Sequence, residues 1–260
     1  EGIILHHNEN PDLIPNEFRN PSNTLVIYTP AVPNDHAELK YFSSNGFTVM
    51  KRSEVLGKIT GESKTVAVSG THGKTTTTTM VTHILKQSHL DCNAFLGGIS
   101  KNYNNNLLLS RTSEFTVVEA DEYDRSFLHL SPLLAVVTSI DAEHLDIYGT
   151  HEAMIDTYHE FLKKIRKGGF LLHKKESPTP LKDLNNITIQ SYSVLSDNAD
   201  YYISNLTEQD GFYTYDLHTP NEVIRNITLG LPGFFNVENS VAAAAAAYNI
   251  GVDKDTIRRA

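Results

Sequence analysis

The feature that most constrains this chain is the run Val68-Ser-Gly-Thr-His-Gly-Lys-Thr-Thr76. It continues Thr65-Val-Ala-Val-Ser69, which reads as a buried strand, and it opens a helical pattern over residues 75–90. A strand that turns through glycines straight into a helix is the setting of a phosphate-binding loop. Gly70 and Gly73 permit backbone conformations that turn several N–H groups toward one anion. The helix N-terminus adds the positive end of its dipole. Lys74 offers a point charge for the β- and γ-phosphates of a nucleotide, and the Thr75 hydroxyl a ligand for the accompanying Mg2+. The widespread form G-x-x-x-x-G-K-[ST] has glycine where this chain has Val68, so the reading rests on strand, glycines and helix together. The threonines of Thr75–Thr79 add nothing, since threonine also packs well where a helix starts against a sheet.

Around this loop, short β-branched runs alternate with helical patterns, which predicts an α/β fold with a mainly parallel sheet. Strands are expected at 24–28, 47–50, 65–69, 115–119, 133–138 and 169–173, and helices at 35–45, 53–59, 75–90, 151–167 and 236–249. Thr150 suits the N-cap of the fourth of these helices. Between Ile187 and Leu229 four short alternating runs predict a small antiparallel extension, while Asn102–Asn106 reads as a turn. A division near Gly61 is expected, giving units 1–61 and 62–260. The chain starts at Glu1 and stops at Ala260 within a helix pattern opened by Asp253, so it is expected to be a piece of a longer protein.

Two apolar strands end in chemistry-bearing residues. Phe115–Glu122 places Glu119, Asp121 and Glu122 at a strand's carboxyl end, and Leu133–Ile140 runs into Asp141-Ala-Glu-His144-Leu-Asp146. In parallel α/β sheets ligands sit at that edge, which the phosphate loop shares. Glu119 and His144 are therefore candidates to hold Mg2+ and offset charge in phosphoryl transfer. Asp121, Glu122, Asp124, Asp141 and Asp146 fit solvated turns and caps equally well. His6, His7, His36, His83, His89, His129, His151, His159, His173 and His218 carry no assigned chemistry.

Other functions are excluded more simply. Asp and Glu number 31 against 22 Lys and Arg, a formal charge of −9, which disfavours nucleic acid or an anionic membrane as partner. The most apolar run, Val241–Tyr248, is far short of the ~20 residues of a membrane span. A single cysteine, Cys92, allows no intrachain disulfide or Cys-rich zinc site and suits the cytoplasm. His36-Ala-Glu38 lacks the Pro-Cys-x-x-Cys of zinc deaminases, and H-E-x-x-H and G-x-S-x-G are absent. Asp146-Ile-Tyr-Gly149 fits D-x-x-G, but no N-K-x-D accompanies it. The residues alone stop at Mg-nucleotide-dependent phosphoryl transfer.

Several segments resemble the Mur ligases, in family order and over essentially the whole chain. Gly70–Thr76 is similar to their ATP loop G-T-x-G-K-T-T, in which Val68 is no departure. Val118–Leu130 resembles V-E-A-D-E-x-D-x-S-F-L-x-L, and Val137–Asp146 a segment carrying a metal-binding histidine. Tyr28–Pro33 is similar to a first-domain T/S-P-A-I-P turn, and Pro232–Asn239 to the P-G-x-H-N-x-x-N segment near adenine, with Phe235 in place of histidine. The resemblance implies a P-loop ATPase domain over 62–260, preceded by part of a Rossmann-like, UDP-substrate-binding domain over 1–61. It implies that Gly70, Thr71, His72, Gly73, Lys74, Thr75 and Thr76 bind ATP and that Asn236 contacts adenine. Thr75 and Glu119 would hold one Mg2+ and His144 a second, while Gly97-Gly98 would form a loop at the sugar nucleotide. The implied reaction joins L-alanine to the lactyl carboxylate of UDP-N-acetylmuramate through an acyl phosphate. Lys74, Glu119 and His144 would serve that catalysis. Tyr123 also suits the branch that attaches a tripeptide, whereas Phe127-Leu-His-Leu130 and Glu143–Gly149 favour the alanine branch. Without the start of the first domain and the C-terminal domain the isolated chain is expected to be nearly inactive. A nucleotide-binding module without ligase chemistry and a small-molecule kinase are the alternatives from other classes, and oligomeric state is left open.

Overall fold

The computed structural model describes Leu5 and residues 7–260; His6 and residues 1–4 lie outside the described residues. The chain divides between Lys58 and Ile59 into two compact units. That division falls inside a helix, three residues before the expected Gly61.

The first unit holds β1 (Leu25–Tyr28), α1 (Ala37–Ser44), β2 (Thr48–Lys51) and most of α2 (Arg52–Gly61). The two strands pair in parallel, with Leu25 opposite Thr48 and Tyr28 opposite Lys51. Tyr41, Phe42 and Phe47 form its aromatic cluster, with Phe42 and Phe47 edge-on at 4.9 Å.

The second unit is built on ten strands: β3 (Lys64–Ser69), β4 (Asn93–Ser100), β5 (Asn105–Leu108), β6 (Phe115–Glu119), β7 (Leu134–Val137), β8 (Phe170–Lys174), β9 (Thr188–Ser193), β10 (Tyr201–Gln209), β11 (Phe212–His218) and β12 (Val223–Thr228). Its helices are α3 (Lys74–Lys86), α4 (Leu145–Tyr148), α5 (His151–Leu162), α6 (Phe234–Asn249) and α7 (Lys254–Arg259). The sheet order is β12-β11-β10-β9-β8-β7-β3-β6-β4-β5. All pairs from β10 through β4 are parallel, and β10–β11, β11–β12 and β4–β5 are antiparallel.

The expected antiparallel extension is present in β10–β12 but excludes β9. β9 and β10 continue the parallel array, and the antiparallel pairs lie at both edges. Alternating polarity reports one wet face of a strand and carries no information about its direction. The hairpin β4–β5 was hidden because Gly97-Gly98 interrupts the apolar pattern and because β5 begins inside the asparagine run. α3 and α5 also end before the expected Leu90 and Lys167. The caps hold: the Thr150 side chain accepts from Ala153 N–H, and that of Asp253 from Thr256 N–H.

The core lies on both faces of the central strands. Val66, Val68, Val117, Leu134, Val136 and Leu172 are fully buried, as a near-continuous apolar run in a covered parallel sheet requires. On one face α3 packs against α6, whose buried stretch Ala242–Ala247 presents little bulk and lets the helix approach closely. No helix among the described residues is long and apolar enough to cross a membrane.

Candidate functional site

Topology brings the candidate residues together. β3 lies between β7 and β6, with Val68 opposite Glu119 and Ser69 opposite Val137. The segments leaving these three strands therefore share one carboxyl edge, the crevice where ligands bind such sheets.

The loop after β3 is held open by its glycines. Gly70 has φ +132°, and a Cβ there would stand 2.0 Å from Thr138 Oγ1. Gly73 has φ +78°, and its Cβ would meet Asn239 Oδ1 at 2.4 Å. Only glycine satisfies both the left-handed backbone and the close approach. The segment after β7 braces the other side. Thr71 N–H donates to Ser139 C=O at 3.0 Å, His72 N–H donates to Ser139 Oγ at 3.0 Å, and Thr138 Oγ1 donates to His72 C=O. The first bond of the α3 ladder runs from Thr77 N–H to Gly73 C=O at 2.9 Å. The N–H groups of Lys74, Thr75 and Thr76 precede it and are the orphan donors that make a helix start an anion site.

Lys74 folds back over the loop. Its Nζ donates to Gly70 C=O at 2.7 Å and to Glu122 Oε1 at 2.8 Å. The Thr75 hydroxyl donates to Glu119 Oε2 at 2.9 Å. Burial pushes the Glu119 carboxyl above its ordinary range, against the opposing pull of the Thr75 hydroxyl, nearby Lys74 and the Gly97 N–H. Gly97 and Gly98 lie within β4 rather than in a loop, because β4 runs beside β6 and overshoots its end. A Cβ on Gly97 would fall 2.1 Å from Glu119 Oε2, so the missing side chain is what makes room for that carboxylate. The donors Thr75 Oγ1 and Glu119 Oε2 are both oxygens, in a cradle that a Cβ would fill, and this set fits Mg2+.

His144 stands at the start of α4 in a left-handed conformation, φ +53°. Its Nε2 is 3.5 Å from Glu122 Oε1, and the Tyr123 ring meets it edge-on at 5.5 Å. Glu122 is completely buried, and its side chain touches both Lys74 and His144. Sequence reasoning left it level with Asp121 and Asp124; nothing local marks it, because its burial comes from the tertiary turn.

The remaining candidates are less central. His72 is exposed, 3.5 Å from both Asp141 and Glu143. The Thr71 hydroxyl is engaged with Ser139 Oγ at 2.8 Å. Thr76 lines a cavity of about 430 Å³ that Thr75 and Gly98 also border, walled by Met80, Ile227, Leu229 and Ile257. Asn236 is buried at the start of α6, donating from Nδ2 to Pro232 C=O at 2.7 Å. Its Oδ1 accepts from Asn239 Nδ2 at 3.4 Å, and Asn239 Oδ1 in turn accepts from Thr77 Oγ1 of α3 at 3.3 Å. Asn239, the last residue of the Pro232–Asn239 segment, sits against Gly73.

Residues 68–247 match the Mur ligase middle domain. UDP-N-acetylmuramate–L-alanine ligase of Porphyromonas gingivalis is 48% identical over 258 residues, 99% of this chain and 57% of that protein. The ligase of the same name from Parabacteroides distasonis is 49% identical over 259 residues, 100% of this chain and 56% of that protein. The chain thus spans little more than half the length of these relatives. Among solved structures, UDP-N-acetylmuramate-alanine ligase from Thermotoga maritima superposes with TM-score 0.76 at 25% identity, covering 93% of this chain and 55% of that one. UDP-N-acetylmuramate:L-alanyl-gamma-D-glutamyl-meso-diaminopimelate ligase from Neisseria meningitides gives TM-score 0.78 at 22% identity, over 90% of this chain and 76% of that one, a likeness of fold.

Proposed function

The chain belongs to the Mur ligase family, and from that premise we propose that its loop is the ATP site of a ligase joining L-alanine to UDP-N-acetylmuramate. Residues 62–260 are the ATP-binding domain in this reading, and residues 1–61 part of the domain that binds the uridine nucleotide. The observation that carries it is the convergence of Lys74, Thr75, Glu119 and His144 at one sheet edge, in a chain 48% identical to a ligase of that name.

A carboxylate is a poor electrophile, and oxide a poor leaving group, so the lactyl carboxylate needs activation. Its oxygen attacks the γ-phosphorus of ATP, the bond to the β–γ bridging oxygen breaks, and ADP leaves. The alanine nitrogen then attacks the acyl carbon, inorganic phosphate departs, and the nitrogen loses a proton. The N–H groups at the start of α3 and the Lys74 ammonium bind charge that spreads over the phosphoryl oxygens. Gly70 and Gly73 bring the backbone close enough to do so. Thr75 and Glu119 would hold one Mg2+ and His144 would bind a second, which supply charge neutralisation when bound. Asn236 and Asn239 keep the α6 start against the loop, on the side assigned to adenine.

The test is a chimera in which this chain replaces the matching stretch of the Porphyromonas gingivalis ligase. Phosphate release that requires both UDP-N-acetylmuramate and L-alanine, and disappears with Lys74→Ala, is expected. Release driven by the tripeptide and not by L-alanine would place the chain in the other branch. A soluble, folded chimera that hydrolyses ATP without forming amide would overturn the ligase reading.

A further inference from the structure

Glu122 is a carboxylate with no exposed surface, in contact with a lysine 14% exposed and a histidine 34% exposed. Burying a carboxylate costs several kcal/mol unless cations and donors compensate it. Here both nitrogen-bearing partners converge on a single oxygen: Lys74 Nζ lies 2.8 Å and His144 Nε2 3.5 Å from Oε1. The other oxygen, Oε2, is buried and has no hydrogen-bond partner among the described residues. A carboxylate kept only for stability would use both oxygens; this one is placed for its charge between two particular side chains.

The backbone shows the same bias. Asp124 and Arg125, which follow Glu122, have φ +51° and +56°, and His144 has φ +53°. Three non-glycine residues in the left-handed region store strain of order 1 kcal/mol each, which persists only where surrounding contacts over-determine it. Those contacts are present: the Glu122 carbonyl accepts from Arg125 N–H at 2.9 Å and from the Tyr148 hydroxyl. Glu122 is thereby fixed from its backbone outward, whereas Lys74 has a long stem with several rotatable bonds, and besides Glu122 its ammonium meets only neutral carbonyls among the described residues, Gly70 at 2.7 Å and Thr71 at 3.5 Å.

We propose that Glu122 is a positioning residue, the anionic anchor that holds the Lys74 ammonium over the phosphate loop and ties it to the His144 ring. This rests on the loop being the nucleotide site. Glu122 then acts through Lys74, so its charge helps phosphate binding only while Lys74 is present. Alone, it is a buried negative charge beside the phosphates and opposes them.

The test measures Mg-ADP affinity and thermal unfolding for the parent chain, Glu122→Gln, Lys74→Met and the double variant. Glutamine preserves size and an acceptor but removes the charge-assisted bond, so binding is expected to weaken about tenfold. In the Lys74→Met background the same change is expected to leave affinity equal or improved and to raise the unfolding temperature, since it removes an unpaired buried charge. A purely structural role predicts the opposite, a loss of similar size in both backgrounds, and that result would overturn the proposal. So would parental affinity in Glu122→Gln. If instead Lys74→Met binds Mg-ADP like the parent, the nucleotide-site reading itself fails. Should Glu122→Gln not fold, a structure of the parent chain with Mg-ADP decides: Glu122 still within hydrogen-bond reach of Lys74 Nζ supports the anchor, and a separated pair refutes it.

Discussion

Replacing Gly97 by alanine isolates the metal cradle from the fold. Gly97 has an ordinary backbone conformation, so alanine brings no dihedral strain. Its Cβ, however, would stand 2.1 Å from Glu119 Oε2 and 2.7 Å from the carboxyl carbon. Restoring contact distance requires the carboxylate to withdraw by about 1 Å, a misplacement that can cost ~100-fold at a reacting centre. The atoms that must give way are the end of a flexible side chain, so stability should fall by less than about 1 kcal/mol. The bond from Thr75 Oγ1 to Glu119, 2.9 Å in the parent, is lost. Mg-ADP affinity, followed by calorimetry at fixed free Mg2+, should drop about 10- to 100-fold, the range for disturbed metal ligation. Gly98→Ala is the control, because its Cβ meets Thr75 Cγ2 at an ordinary 3.4 Å and should leave binding nearly unchanged. Parental affinity in Gly97→Ala, or equal losses in both variants, would refute the cradle.

Further expectations concern loop, scaffold and pH. Gly73→Ala combines φ +78° with a 2.4 Å approach to Asn239 Oδ1, so chemical denaturation should show a loss of about 1–3 kcal/mol, partly relieved by Asn239→Ala. Arg166 donates to the carbonyls of Ser131 at 2.7 Å, Ser63 at 2.8 Å and Gly61 at 2.7 Å; Arg166→Met leaves these acceptors without their donor and should cost about 2–3 kcal/mol by urea unfolding. Glu119 has its folded pKa raised by burial, so the folded chain holds its proton more tightly than the unfolded one. Its contribution to stability is intact below the unfolded pKa and declines as pH rises through the folded one. Glu119→Gln should therefore stabilise the metal-free chain at neutral pH, with the gain vanishing in acid; a gain independent of pH would contradict the assignment.

The loop and its flanking strand and helix were legible because the glycine pattern, the apolar run and the helix start are all local. Glu119 was legible as the last residue of a clear strand. Glu122 was not, since what buries it is a turn through left-handed Asp124 and Arg125 that brings it under Lys74, forty-eight positions earlier in the chain. For Gly97-Gly98 the resemblance alone implied a loop, whereas the pair lies within β4 and the absent side chain makes room for a carboxylate on the neighbouring strand. The direction of β9 was also beyond the sequence, because period-two alternation is the same for either orientation.

The central claim is that the loop at Gly70–Thr75 binds the nucleotide through Lys74. Calorimetric titration of Mg-ATP into this chain and into Lys74→Ala tests it most directly. The account predicts saturable one-to-one binding by the parent and at least about tenfold weaker binding by the variant. Equal binding by the two would place the nucleotide away from Lys74 and contradict the account.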